Sequence, residues 1–150
     1  MNISYFDQIN DHKYLYLTEY GEPEDNSLLL KIKEAAPDGP VHDLDIGDSK
    51  IEGVRSIEVT AYSHTYSIYF ESYIGYSVVD ESYALPDDYE LFEGRLLCVY
   101  SQSHFLDYIG KTSFASDDHP GPYRHYGLNC LNHCIEIASC DPPTVKLLSS

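Results

Sequence analysis

The chain has 150 residues, 43% of them hydrophobic and 23% charged, and its formal net charge is −16. That length suits a single domain spanning 1–150 with its own core, and the hydrophobic share argues against wholesale disorder. The charge repels nucleic-acid phosphates and anionic membrane surfaces, so neither is an expected partner.

Residues 1–94 hold 20 acidic and 5 basic residues, whereas residues 95–150 hold 5 and 4. A field concentrated in this way attracts cations and basic proteins, although surface acidity also serves plain solubility. Fifteen tyrosines and no tryptophan suit half-buried strands and interfaces, where the ring is desolvated and the hydroxyl stays bonded. The first residues, Met1 to Ile9, lack a basic region followed by an apolar run, and the longest apolar stretches are too short to span a bilayer. A cytoplasmic location is the expectation. There Cys98, Cys130, Cys134 and Cys140 are read as reduced thiols, packed as small hydrophobes.

In chain order, Tyr14–Thr18 places tyrosines on one face and leucines on the other, which is the period of a strand. In Leu28–Lys33 the even positions are apolar and both lysines fall opposite them. Ala36-Pro37-Asp38-Gly39-Pro40 then breaks the chain. Ser56–Ala61 alternates with its apolar residues at odd positions, and Tyr66, Ile68 and Phe70 line one side of His64–Glu71. Gly75 marks a turn before Tyr76–Val79 resumes an extended pattern. Leu85-Pro86-Asp87-Asp88 is a second breaker, and Leu96–Val99 reads as a buried strand. One short helix is expected near residues 103–110, with Ser103 as its cap, Gly110 as its stop and Lys111 near its negative end.

His119-Pro120-Gly121-Pro122 is a third breaker, and the tail after it has two readings. Residues 128–139 carry a helical spacing, but they also fit a hairpin of Tyr123–Cys130 and Cys134–Ser139 turning near Asn132. Two β-branched isoleucines and Pro142-Pro143 tilt the balance to the hairpin. The fold expected is mainly β, with α+β as the variant: an antiparallel sandwich, roll or partly open barrel.

Few spacings point to chemistry. Cys130, His133, Cys134 and Cys140 lack the tight two-residue gap of zinc knuckles, and in a strand His133 points away from the cysteines, so no metal is assigned. Cys98 with His104 or His125 could form a thiolate pair, but its apolar run favours an inert core thiol. Asp43-Leu-Asp45-Ile-Gly47-Asp48 fails as a calcium loop, since Gly47, Asp48 and Val54 stand at the wrong ligand positions. There is no Gly-rich phosphate loop, no nucleophile elbow and no metalloprotease pair, and no cofactor is implied.

Charge therefore leads the functional reading. A non-enzymatic domain would dock a basic protein through Asp43, Asp45, Asp48, Asp87, Asp88, Glu90 and Glu93 in loops, with Tyr89 as an anchor. Small acidic immunity proteins neutralise cationic toxins on this principle; the likeness is physical and rests on no shared motif. The alternative is a small metal-dependent hydrolase using His104, Asp117, Asp118, His119, His125 and His133.

Overall fold

The computed structural model describes residues 4–35, 41–46, 49–55 and 64–149, with backbone alone for 41–46 and 49–55. Two antiparallel sheets enclose the core. The first has four strands in the order β1-β2-β5-β11: β1 Tyr14–Gly21, β2 Leu28–Ala35, β5 Thr65–Phe70 and β11 Thr144–Ser149. The second has five, ordered β6-β10-β9-β8-β7: β6 Gly75–Asp80, β7 Leu91–Gly94, β8 Leu97–Gln102, β9 Arg124–Asn129 and β10 His133–Ser139. A separate ribbon pairs β3 Val41–Ile46 with β4 Ser49–Arg55. Every strand pair among the described residues is antiparallel, although only some of the pairs, such as β1 with β2 and β9 with β10, are joined by short connections.

The alternation in the sequence decides which face is buried. Leu15 and Leu17 of β1, Leu28, Leu30 and Ile32 of β2, and Tyr66, Ile68 and Phe70 of β5 are all buried. They meet Leu97, Tyr126, Leu128, Ile135 and Ile137 of the second sheet in one cluster. Each such large side chain taken fully out of water stabilises the fold by roughly 1.5–3 kcal/mol. The 128–139 region is the hairpin: Cys134 pairs with Asn129 and Ser139 with Arg124. Asn132 at its turn makes two bonds to β1, donating to the Leu17 carbonyl and accepting from its N–H, and so ties the sheets together.

Helix α2 (His104–Thr112) occupies the expected place, with the Ser103 hydroxyl accepting from the Leu106 N–H at 3.0 Å. It lies on the outer face of the second sheet, where Ile109 reaches within 3.0 Å of a side chain's place on Gly75. A second helix, α1 (Tyr5–Asp11), was not anticipated. Its seven residues are too few to hold by propensity alone. Ser4 caps it, Ile9 is fully buried, and Asn10 accepts from the backbone N–H groups of Arg95, Leu96 and Leu97. Arg95 in turn donates to the carbonyls of Asn10, His12 and Lys13, closing the end of α1.

Three of the acids expected in loops sit in strands instead: Asp43 and Asp45 in β3, and Glu93 in β7. For Glu93 the reason is that an edge strand keeps a face free to carry charge. Asp48 and the expected strand at Ser56–Ala61 lie outside the described residues. No described helix is long and apolar enough to cross a membrane.

Candidate functional site

The segment joining β6 to β8 stands out by exposure and composition together. Asp80 caps a single 3-10 turn at Glu81–Tyr83 by accepting from the Ser82 N–H, and Pro86 follows before the short edge strand β7. From Asp80 to Gly94 the segment carries six carboxylates and no lysine or arginine. Its large apolar residues point outward as well: Tyr83 is 80% exposed and Leu85 89%, with Tyr89, Leu91 and Phe92 also exposed. Among the described residues strand β7 pairs with β8 alone, at the edge of the second sheet.

Aromatic and ionic contacts pin the far half of this segment to the start of α2. Asp87 accepts from His104 Nε2 at 2.6 Å and from the Tyr89 N–H at 3.0 Å. The Tyr89 ring stacks on His104 with centroids 4.7 Å apart, and its hydroxyl donates to Asp107 at 2.5 Å. The His104 contact holds the Asp87 carboxyl below its ordinary value, and the Asp87 carboxylate raises His104. The acidic segment is thus a supported surface at residues 87–90. Both partners are open to water, so the contact contributes order more than stability.

Behind the segment lies a cleft of about 630 Å³ against the outer face of the second sheet. Glu81, Glu90 and Glu136 line it together with Tyr14, Tyr83 and Tyr100, and among the described residues its lining holds no lysine, arginine or histidine. Gly127 makes the floor possible. A Cβ there would stand 2.7 Å from the Tyr100 ring and 3.0 Å from a Glu136 carboxylate oxygen. Burial, reinforced by Glu136, raises the Tyr100 phenol and keeps it protonated.

Below the cleft runs a hydrogen-bonded chain of Ser103, His125 and Glu136. Ser103 Oγ lies 2.7 Å from His125 Nδ1, and His125 Nε2 contacts Glu136. The Tyr100 ring stacks on the imidazole at 4.0 Å between centroids, only 8° from parallel. The residue types match a nucleophilic triad, but the access does not. Ser103 is 0% exposed and already accepts from Leu106 as the helix cap, so no substrate carbonyl can reach its oxygen. The chain is a buried polar brace between α2 and the sheet.

The residues of the hydrolase alternative are dispersed. His104 opens α2 and is bonded to Asp87 of the acidic segment, and His125 belongs to the brace. Asp117, Asp118 and His119 are exposed in a loop where the Ser116 hydroxyl accepts from the last two N–H groups. His133 opens β10, near Tyr20, with its Nδ1 buried and without a hydrogen-bond partner among the described residues. Among the described residues no three of them converge as metal ligands; the group that does is His12, Glu34 and His64. All four cysteines are free. Burial pushes the Cys98 and Cys130 thiols up to about 12, which is the environment of an inert core thiol.

Of the binding residues named from sequence, Asp87, Asp88, Tyr89, Glu90 and Glu93 fall on this one segment. Glu81, Tyr83, Leu85 and Glu136 escaped notice, because only the folded chain brings β10 beneath the loop after β6. No protein-family model, no curated protein and no solved structure matches this chain.

Proposed function

We propose that the chain is a non-enzymatic binding domain that docks a basic protein on the Asp80–Gly94 segment, an arginine or lysine of the partner entering the cleft behind it. One observation carries this reading: among the described residues the cleft is lined by three carboxylates and three tyrosines and by no cationic side chain. Carboxylates supply charge complementarity, and aromatic faces accept a guanidinium or ammonium group by cation–π contact. The exposed Tyr83 and Leu85 in the lining of the cleft, and Tyr89 and Phe92 further along the same segment, supply apolar area for short-range contact. The net charge of −16 adds long-range steering, which accelerates encounter and is screened by salt.

Affinity capture from the native host tests this reading. Wild-type protein is expected to retain basic proteins that elute when ionic strength is raised, and the Glu81→Gln/Glu90→Gln variant is expected to lose them. Recovery of neutral proteins, insensitive both to salt and to the double substitution, would overturn it.

A further inference from the structure

Where β2 ends and β5 begins, two buried stripes finish on polar residues. The core-facing positions of β2 run Leu28, Leu30, Ile32 and then Glu34, and those approaching β5 run His64 and then Tyr66, Ile68 and Phe70. Ile32 pairs with Tyr66 and Lys33 with Thr65, and the Glu34 N–H donates to the His64 carbonyl. Glu34 and His64 therefore sit side by side on the core side of the sheet, where period two calls for apolar residues. His12, placed by Asn10 and Arg95 at the end of α1, closes over them.

The three side chains converge. Glu34 Oε2 lies 2.8 Å from His12 Nδ1, and Glu34 Oε1 lies 2.5 Å from His64 Nδ1. The ligand atoms of all three fall within 4.8 Å of one another. The second nitrogen of His12 is held as well, with Nε2 2.6 Å from the Tyr66 hydroxyl. A phenol oxygen at this place can accept from an imidazole N–H.

We propose that His12 Nδ1, His64 Nδ1 and a Glu34 carboxylate oxygen form a binding site for a borderline divalent transition ion, zinc being the natural occupant. Two imidazoles and one carboxylate suit Zn²⁺, Co²⁺ or Ni²⁺; calcium and magnesium require oxygen-rich shells. Ligands at about 2.0–2.1 Å from a tetrahedral ion stand roughly 3.3 Å apart, so on loading the 2.8 Å pair opens by about 0.5 Å and the 2.5 Å pair by about 0.8 Å. With Nδ1 on the metal, His12 Nε2–H donates to Tyr66, the outer-shell bond that fixes a metal-bound imidazole. The side chains are 12%, 25% and 33% exposed for His12, Glu34 and His64, so an ion can enter and water can take the remaining position. This site shares no residue with the docking segment or with the lining of the cleft.

The test is Co²⁺ titration of untagged, chelator-stripped protein, followed by visible absorption and by paramagnetic broadening in NMR spectra, with Zn²⁺ as competitor. One equivalent of Co²⁺ displaced by Zn²⁺ is expected, with broadening centred on His12, His64 and Tyr66. Glu34→Gln and His64→Gln are each expected to weaken binding at least as much as the ~10–100-fold that loss of an outer-shell partner costs, and Tyr66→Phe by about that amount. The exposed His119→Ala variant keeps wild-type affinity. Circular dichroism identifies any variant that fails to fold, and the broadening pattern of wild-type protein then decides. Absence of stoichiometric uptake, broadening centred on other histidines, or unchanged affinity in folded Glu34→Gln and His64→Gln protein would each overturn the proposal.

Discussion

Replacing Ser103 with alanine deletes one oxygen from a fully buried position that serves two structures at once. The hydroxyl accepts from the Leu106 N–H at the start of α2, which leaves its own proton to donate to His125 Nδ1 at 2.7 Å. Loss of a serine cap costs about 1 kcal/mol. The same substitution strands Nδ1 of an imidazole that is itself 1% exposed, a buried unpaired polar atom worth roughly 1–3 kcal/mol. The void left by a single oxygen is small, so the expected loss is about 2–4 kcal/mol, a large part of the roughly 5–15 kcal/mol of a typical domain. Urea unfolding followed by far-ultraviolet circular dichroism reads it directly, with tyrosine fluorescence as a second probe. A cycle with His125→Phe separates the two contributions, because that variant keeps the cap while removing the imidazole, and the pair is expected to couple by roughly 1 kcal/mol or more. A Ser103→Ala loss below about 1 kcal/mol, with no coupling, would show that the brace contributes nothing beyond an ordinary helix cap.

Three further outcomes follow from the site and its floor. Gly127→Ala is expected to destabilise by about 1–3 kcal/mol, because its Cβ drives the Tyr100 ring and the Glu136 carboxylate from their places; unchanged stability in the same urea assay would contradict the packing described. A thiol reagent applied to native protein near pH 8 should label the half-exposed Cys134 and Cys140 before the buried Cys98 and Cys130, and equal rates at all four would refute their burial. His104 should titrate above its ordinary 6.5, and Asp87 below its ordinary 3.8, in NMR-monitored titrations. The raised His104 contributes fully below 6.5 and is lost as pH rises through its elevated value, whereas the lowered Asp87 contributes above 3.8 and is lost as pH falls through its depressed value. Their contact is therefore strongest between those two ordinary values, and Asp87→Asn should return His104 toward 6.5.

The strands were largely legible because period two is imposed by the strand itself: Leu15 and Leu17, Leu28 to Ile32, and Tyr66 to Phe70 are buried as their alternation demands. The short helix was legible from Ser103, since capping is a local interaction. Helix α1 was not, because its stability comes from Asn10 and Arg95 bonding across more than 80 residues of sequence. The acidic segment could be read in part, as Asp87 to Glu93 are contiguous. The cleft could not, since Glu136 reaches it only through the pairing of β10 between β6 and β9. Glu34 and His64 left a signal that went unused: each continues an apolar stripe with a polar residue. A break in the alternation at the end of a buried strand marks a cost that some contact has to offset.

Titration of isotope-labelled protein with a blocked arginine amide, followed residue by residue in NMR spectra, tests the docking reading most directly. A guanidinium entering the cleft should move Glu81, Tyr83, Glu90, Tyr100 and Glu136 together, and added salt should suppress the shifts while leaving the spectrum of the fold intact. Shifts scattered over every carboxylate of the surface, or absent from those five residues, would contradict it.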